Sequence, residues 1–424
     1  MIAEDSREYS LRMNDKNQKH YVGLDIGTSA IKCVVGTDNP DNPQHPTIIA
    51  HSIVPNDGIR KGVIIHIDDV ADSIIAAINE VERISGLEIT KVTTNINGPH
   101  VSGINSHGII AISSANKEIT VEDCLRVEEA ATIMQLPQNK EIVQVFAKNY
   151  ILDGLSDIKD PVGMTGVRLE VDSHIVTASS PSLKNLYTVL DKAKLDINNL
   201  TVSSLAAAEV VLSRQQKESG TILLDIGSST TNLVVIEDGE IQHVAVLPIG
   251  GTNITNDLAI GLKTDIDVAE EVKVKHFSLK DEDTTNQWEV EFKYQDADYS
   301  FSLPDIKMIV EARLDELFDY VNKELHKINK IRKLPGGVVI VGGTANLSGI
   351  EILAKEKLQL ASRIGHISKL YGGIKEIDDP SFAAAIGLMA YDSLLGDEQS
   401  FDGLNISARP TLLELKNKLL NKFK

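Results

Sequence analysis

Leu24-Asp25-Ile26-Gly27-Thr28-Ser29-Ala30-Ile31-Lys32-Cys33-Val34-Val35 and Leu224-Asp225-Ile226-Gly227-Ser228-Ser229-Thr230-Thr231-Asn232-Leu233-Val234-Val235 are one pattern written twice, two hundred residues apart. Each copy reads as a hairpin: an apolar strand ends in Asp, small residues turn the chain, and a β-branched strand returns. Glycine in the turn lets backbone approach a ligand closely, and consecutive turn amides form an anion-binding nest. Two such turns facing each other hold a polyphosphate between them, with Asp25 and Asp225 available to the water shell of a metal. A single Asp-x-Gly after a strand is an ordinary hairpin. Its repetition, one copy in each half, implies a duplicated core with a cleft between the halves.

The rest of the composition narrows the class. A chain of 424 residues exceeds one ordinary core, and 42% hydrophobic with 24% charged residues is a globular balance. A formal net charge of −19 excludes a general nucleic-acid binder, which needs basic surface, and means that contact with an anionic membrane requires its own basic patch. Cys33 and Cys124, the two cysteines, fall in different units, so neither a disulfide framework nor a zinc site is expected and a reducing, cytosolic compartment fits. No run reaches the ~20 apolar residues that span a bilayer, and the first residues lack a signal peptide's apolar segment.

In chain order, residues 1–19 read as a polar leader. The first hairpin follows, then strands at 48–54 and 62–65, a helix carrying Val70, Ile74, Ile78 and Val81 with Gly86 as its C-cap, and a strand at 91–96. From Gly98 to Asp172 the character changes to a small α+β insertion, whose helix is opened by Thr120 with Asp123 as capping pair. The main unit is expected to resume with a strand at 174–178, a helix carrying Leu183, Leu186, Tyr187 and Leu190, and a helix from Ser204 to Gln215 containing Glu209. After the second hairpin, Gly250-Gly251-Thr252-Asn253 is a helix start suited to face a phosphate or sugar. Residues 265–277 read as a helix with Glu270 and Lys273 on one face, 289–294 and 298–303 as a hairpin, and Pro304 as the opening of a long helix. The run Gly336 to Val341 is a buried parallel strand, and the Gly342-Gly343-Thr344-Ala345-Asn346-Leu347 turn beyond its carboxyl end is a third candidate ligand loop. Asp378-Asp379-Pro380-Ser381 opens the last helix of the globular part.

These loops and their order resemble the ATPases of the actin, sugar-kinase and heat-shock-chaperone superfamily, and the chain from Tyr21 to Lys424 most resembles the FtsA family of bacterial cell-division proteins. The specific stretches are Lys159-Asp160-Pro161-Val162-Gly163-Met164-Thr165-Gly166-Val167-Arg168-Leu169 and Gly250 to Leu262. The resemblance implies an α/β fold: a duplicated actin-like, ribonuclease-H-like core with two lobes around a nucleotide cleft and an inserted α+β subdomain. It implies ATP and Mg²⁺ as cofactors. Asp25 and Asp225 then anchor Mg²⁺ through water, while Gly27, Thr28, Ser29, Gly227, Ser228, Ser229 and Thr230 hold phosphate. Lys32 reaches the β- and γ-phosphates, and Glu209 orients the attacking water. Gly250, Gly251, Glu270 and Lys273 serve the ribose side, and Gly342, Gly343, Thr344, Asn346 and Leu347 line the adenine. Bland alternatives stand beside three of these: Lys32 as a solvated strand residue, Glu209 as an exposed helix carboxylate, Glu270 with Lys273 as a surface pair. The chain departs from the superfamily at Ser228-Ser229, where a glycine pair is usual, and at Asn232, where Asp is usual; nucleotide binding with slow or absent hydrolysis follows.

The expected domains are 20–97 with 173–202, the insertion 98–172, 203–264 with 336–395, and a smaller subdomain at 265–335, followed by a linker at 396–410. In residues 411–424, Leu412, Leu415, Leu419 and Phe423 lie on one helical face beside Leu413 and Leu420, with Lys416, Lys418, Lys422 and Lys424 supplying charge, a basic amphipathic helix suited to an anionic membrane surface. The resemblance implies a protein that polymerises head to tail and tethers the C-terminal tail of the tubulin-like division protein FtsZ to the inner face of the cytoplasmic membrane. The alternatives are a pilus-assembly scaffold like PilM, which lacks such a helix, or a sugar or acyl kinase, whose catalytic Asp and substrate residues are not identifiable.

Overall fold

The structure, a computed structural model, describes residues 19–40, 42, 45–134, 136–280, 288–367 and 377–396. The leader and the amphipathic segment 411–424 therefore lie outside the described residues.

The strands are β1 His20–Ile26, β2 Ala30–Thr37, β3 Thr47–Pro55, β4 Ile59–Arg60, β5 Val63–Ile64, β6 Lys91–Asn95, β7 Ser102–Ala111, β8 Lys140–Leu152, β9 Leu155–Ile158, β10 Arg168–Ser179, β11 Asp196–Thr201, β12 Thr221–Ile226, β13 Thr231–Glu237, β14 Glu240–Leu247, β15 Glu289–Tyr294, β16 Ala297–Ser302, β17 Gly337–Val341 and β18 Ser362–Ile364. The helices are α1 Ile67–Ser85, α2 Val121–Thr132, α3 Ser180–Lys192, α4 Ser203–Val211, α5 Arg214–Ser219, α6 Gly251–Leu262, α7 Ile266–Glu271, α8 Leu303–Lys327, α9 Ile350–Leu358 and α10 Ala383–Gly396. Gly86 ends α1 in the left-handed conformation (φ 72°), and Thr120 and Asp123 close a reciprocal capping box on α2, as their spacing predicts.

Duplication is written in the sheets. The first lobe runs β11-β6-β1-β2-β3, and the second contains β18-β17-β12-β13-β14 in the corresponding order. In each, a hairpin lies antiparallel on one side and parallel crossover strands lie on the other. Three cores follow. One runs through both lobes, collecting the inner faces of both sheets together with α4 and α10; a second lies under the outer face of the second lobe, against α8; a small third belongs to the insertion.

Several expectations are corrected. Residues 174–178 do not return the chain to the first lobe: they are the second half of β10, whose whole length pairs with β7 and β8, so the inserted unit extends to Ser179. Its sheet is also not separate, because β7 meets β14 at Ser102 and Ala245 and so extends the second lobe's sheet to nine strands. The helix expected from Ser204 to Gln215 is two: Leu212 is extended, and Ser213 with Gln216 forms a new capping box that starts α5. The 265–277 helix changes hand-hold after Glu271, continuing as a π-helical turn at Val272–His276. Tyr187 faces outward, whereas Leu183, Leu186 and Leu190 are buried.

Candidate functional site

Both Asp-bearing turns open into one cleft of about 790 Å³ between the lobes. The turns close identically, Gly27 N–H donating to Ala30 O at 3.2 Å and Gly227 N–H to Thr230 O at 2.9 Å. Their remaining carbonyls are occupied from behind. In the first turn Asn56 Nδ2 donates to Gly27 O (2.8 Å) and Asn56 N to Ser29 O (3.0 Å). In the second, the opening amides of α6 do the same work: Gly251 N donates to Gly227 O (3.0 Å) and Thr252 N to Ser228 O (2.6 Å), with Thr344 Oγ1 also on Gly227 O (3.0 Å). Carbonyls satisfied in this way within the protein oppose an anion at the turn less strongly. The start of α6 thus orients the turn, and Gly251 and Thr252 themselves line the cleft. Gly250 has no room for a Cβ, which would stand 2.6 Å from Gly227 O.

The carboxylates sit at the register-matched positions Asp25↔Lys32 and Asp225↔Asn232. Asn95, at the end of β6, accepts from Ile26 N (2.8 Å) and donates from Nδ2 to Asp25 and to Ser203 Oγ (2.7 Å). Burial raises the Asp25 carboxyl, opposed by Lys32 and the Asn95 bond. Burial, reinforced by the charge of Asp25, pushes Asp225 up to about 7. Asn232 Nδ2 reaches Asp225 at 3.4 Å, while the buried Asn232 Oδ1 has no partner. Two desolvated carboxylates short of countercharge, with an orphaned acceptor beside them, fit a hydrated divalent cation: its waters would donate to all three. Lys32 Nζ donates to Ser381 O at 2.6 Å and lies 5.0 Å from the Phe382 ring centroid, so it is a cleft residue and not a solvated one. Burial lowers its pKa, opposed by Asp25, Asp379 and Asp225.

At the other end, Lys273 Nζ donates to Glu270 (2.6 Å), Thr255 Oγ1 (2.8 Å) and Gly251 O (3.3 Å), stitching the π turn to α6. A π turn offsets the side chains that follow it and is often retained where a ligand sits; here it accompanies Val274 and Phe277 in the cleft wall, opposite Gly343, Asn346 and Leu347. Gly342 holds φ 88°, and a Cβ on it would meet Ile226 O at 2.5 Å and Asp225 Oδ1 at 2.6 Å. The third loop therefore lies directly against the second Asp turn.

Of the residues singled out from the sequence, Glu209, Ser229 and Gly250 stand outside the cleft lining. Glu209 is the consequential one. Its carboxylate is ion-paired with Lys217 of α5 at 2.7 Å, and the α4 residue that lines the cleft is Ser203, at the helix start. The role of orienting a water is withdrawn from Glu209. Asn56, Asn95, Ser203 and Ser381 were not anticipated; a polar residue at the carboxyl end of a predicted strand was the available signal for Asn95.

A family model described as "Cell division protein FtsA" matches residues 222–387, and one described as "SHS2 domain inserted in FTSA" matches 98–177. The cell division protein FtsA of Bacillus subtilis is 36% identical over 377 residues, covering 88% of this chain and 84% of that one. The FtsA of Borreliella burgdorferi is 35% identical over 407 residues, covering 95% and 97%. Among solved structures, a PilM-PilN type IV pilus biogenesis complex aligns with TM-score 0.60 at 19% identity over 88% of this chain and 98% of that one. MreB5 of Spiroplasma citri bound to ADP aligns with TM-score 0.53 at 13% identity over 89% and 97%. At those identities the two structures show the actin-like fold alone.

Proposed function

The chain belongs to the FtsA family of cell division proteins, and from that premise we propose that it is an ATP- and Mg²⁺-binding, actin-like protein that self-associates and tethers FtsZ, through its C-terminal tail, to the inner face of the cytoplasmic membrane at the division site. The observation that carries the nucleotide half is the convergence of two Asp-bearing turns, carbonyls satisfied within the protein, on one cleft. Asp25 and Asp225 would hold Mg²⁺ through water, and the metal, when bound, supplies charge neutralisation between phosphate oxygens. Thr28, Ser29, Ser228 and Thr230 offer amides and hydroxyls to those oxygens, Lys32 offers an ammonium, and Glu270 with Lys273 flank the sugar.

Phosphoryl transfer rests on positioning and on a group that orients the water. With Glu209 paired to Lys217 and Ser203 in its place at the cleft, no α4 carboxylate is available for that task. Hydrolysis on the order of 10⁻³ s⁻¹ or slower is expected, the scale of nucleotide switches lacking a charged finger. The protein is thus a nucleotide-gated scaffold.

Attachment is assigned to residues 411–424. Part-burial of six large apolar side chains, each ~1.5–3 kcal/mol when fully buried, is set against the ordering of the helix. One tail then binds weakly, and a polymer of tails binds by avidity. Sedimentation with anionic vesicles and a fluorescent FtsZ tail peptide tests the assignment: lipid and peptide co-sediment with the full chain more strongly with ATP-Mg²⁺, and deletion of 411–424 abolishes lipid binding while ATP binding persists. Lipid retention by the truncated chain refutes the anchor; steady-state turnover at kinase rates, abolished by Asp25→Ala, refutes the scaffold.

A further inference from the structure

A second cavity, of about 810 Å³, lies between the inserted sheet and the β13–β14 turn of the second lobe, away from the nucleotide cleft. It opens beside the seam where β7 meets β14, a seam stitched by His174, whose Nε2 accepts from Val244 N at 3.1 Å and whose Nδ1 lies 2.8 Å from Asn105 Oδ1. Three features of its wall are those of a built site.

The first is a β-bulge. Pairing of β8 with β10 steps from Asn149↔Asp172 to Ala147↔Ser173, so Lys148 is the extra residue, and a bulge re-aims the side chain it carries. The second is the state of Lys148. It lines the cavity, yet forms no ion pair among the described residues, because its acidic neighbours are engaged elsewhere: Asp172 with His107 Nδ1 at 2.9 Å, and Glu237 with Lys330. Burial lowers its pKa, with Asp172 and Glu237 opposing and Lys330 adding to the shift. The third is Ser173, directly across the bulge: it is 1% exposed, lines the cavity, and its Oγ has no hydrogen-bond partner. An unpaired ammonium and an unsatisfied buried hydroxyl on adjacent strands call for an acceptor that takes both, which a carboxylate does with its two oxygens.

The surrounding charge decides what carries that carboxylate. Asp157, Asp172, Glu218, Glu237 and Asp238 line the same cavity against Lys148, Lys159 and His107. A compact multiply charged anion is repelled by such a wall, whereas a ligand bearing one carboxylate flanked by cations is complementary to it. The volume suits a short peptide.

We propose that this cavity binds an extended peptide segment in which an acidic side chain, seated on Lys148 and Ser173, is flanked by basic ones facing Asp157, Glu218 and Asp238. Such a segment bridges the inserted unit and the second lobe and stiffens the seam between them. Binding does not depend on the nucleotide reading.

The full chain is titrated calorimetrically with acetyl-Lys-Glu-Lys-amide, acetyl-Lys-Gln-Lys-amide and inorganic phosphate. The Glu peptide binds saturably; the Gln peptide binds about tenfold more weakly, the worth of a charge-assisted bond. Lys148→Met costs about tenfold and Ser173→Ala about fivefold, Lys148→Arg retains binding, and Asp25→Ala leaves it unchanged while removing nucleotide binding. Melting curves establish that each variant is folded; if Lys148→Met is not, Lys148→Gln takes its place. Equal affinity for the two peptides, full affinity after loss of the Lys148 charge, or phosphate binding as tightly as the Glu peptide overturns the proposal.

Discussion

At the scale of single residues, the two hairpins differ where it matters for charge: Asp25 is faced across its strand pair by Lys32, and Asp225 by the neutral Asn232. Burial, and then the charge of Asp25, push Asp225 up to about 7, with Lys32 and the Asn232 bond opposing. In the unfolded chain the same carboxyl titrates near ~4, so between these values the folded protein holds a proton that the unfolded chain has released. The contribution of this group to stability is therefore fully present below pH ~4 and is lost as pH rises through 7. Asp225→Asn removes that loss: the ligand-free variant is expected to melt higher than the parent at pH 8, by on the order of 2 kcal/mol, with the difference shrinking at pH 4. On the proposed function, the same substitution is expected to weaken Mg²⁺-nucleotide binding, and binding by the parent is expected to strengthen from pH 6 to pH 8 as the carboxyl ionises; a titration at the two pH values checks it. A variant that melts lower at pH 8 would show that Asp225 is already compensated within the protein.

At the scale of elements, the site is positioned by two helices that cross. α4 and α10 connect the lobes to the cleft, and their contact is made from small residues: a Cβ on Gly387 would stand 2.1 Å from Ala206 O, and one on Gly23 of β1 would stand 2.1 Å from Ala385 O. At these two points backbone meets backbone with no room for a side chain, one contact being α10 on α4 and the other β1 on α10, which accounts for glycine at 387 and 23 and suits the small residues around them. Asp392 reinforces the arrangement, accepting from Val22 N (3.1 Å), Thr93 Oγ1 (2.7 Å) and Asn198 near the other end of the same sheet. Overpacking such a crossing costs about 1–3 kcal/mol or more. Gly387→Ala should lower unfolding free energy in urea by about 3 kcal/mol and weaken nucleotide affinity alongside it; an unchanged urea midpoint would mean that the crossing can widen freely.

At the scale of the whole molecule, the lobes share one continuous core, so they are two walls of one packed body. A nucleotide spanning the cleft adds contacts to both walls. At a hundredfold excess over Kd it stabilises the fold by about 2.7 kcal/mol, and hydrogen exchange should slow in both turns, 27–30 and 227–230, together. Protection of one turn only would show that the two Asp loops do not share a ligand. No helix among the described residues is long and apolar enough to cross a membrane.

The duplicated hairpins, their Asp residues, the third glycine loop and the capped helices α1, α2 and α8 were legible from the chain alone, because strand alternation, turn chemistry and capping act over fewer than ten residues and leave local signatures. So was the pairing of Glu270 with Lys273, a matter of helical spacing. The tertiary structure alone decided where Glu209 points, since its fate turns on a helix break and on Lys217 from the next helix; which groups engage the turn carbonyls, since Asn56, Thr344 and the first amides of α6 arrive from other parts of the chain; and to which sheet residues 174–178 belong, since a strand's own pattern says which face is buried but not which neighbour it pairs with. Chemistry that depends on one residue and its near neighbours is written in order along the chain, whereas chemistry that depends on orientation exists only once distant segments have packed.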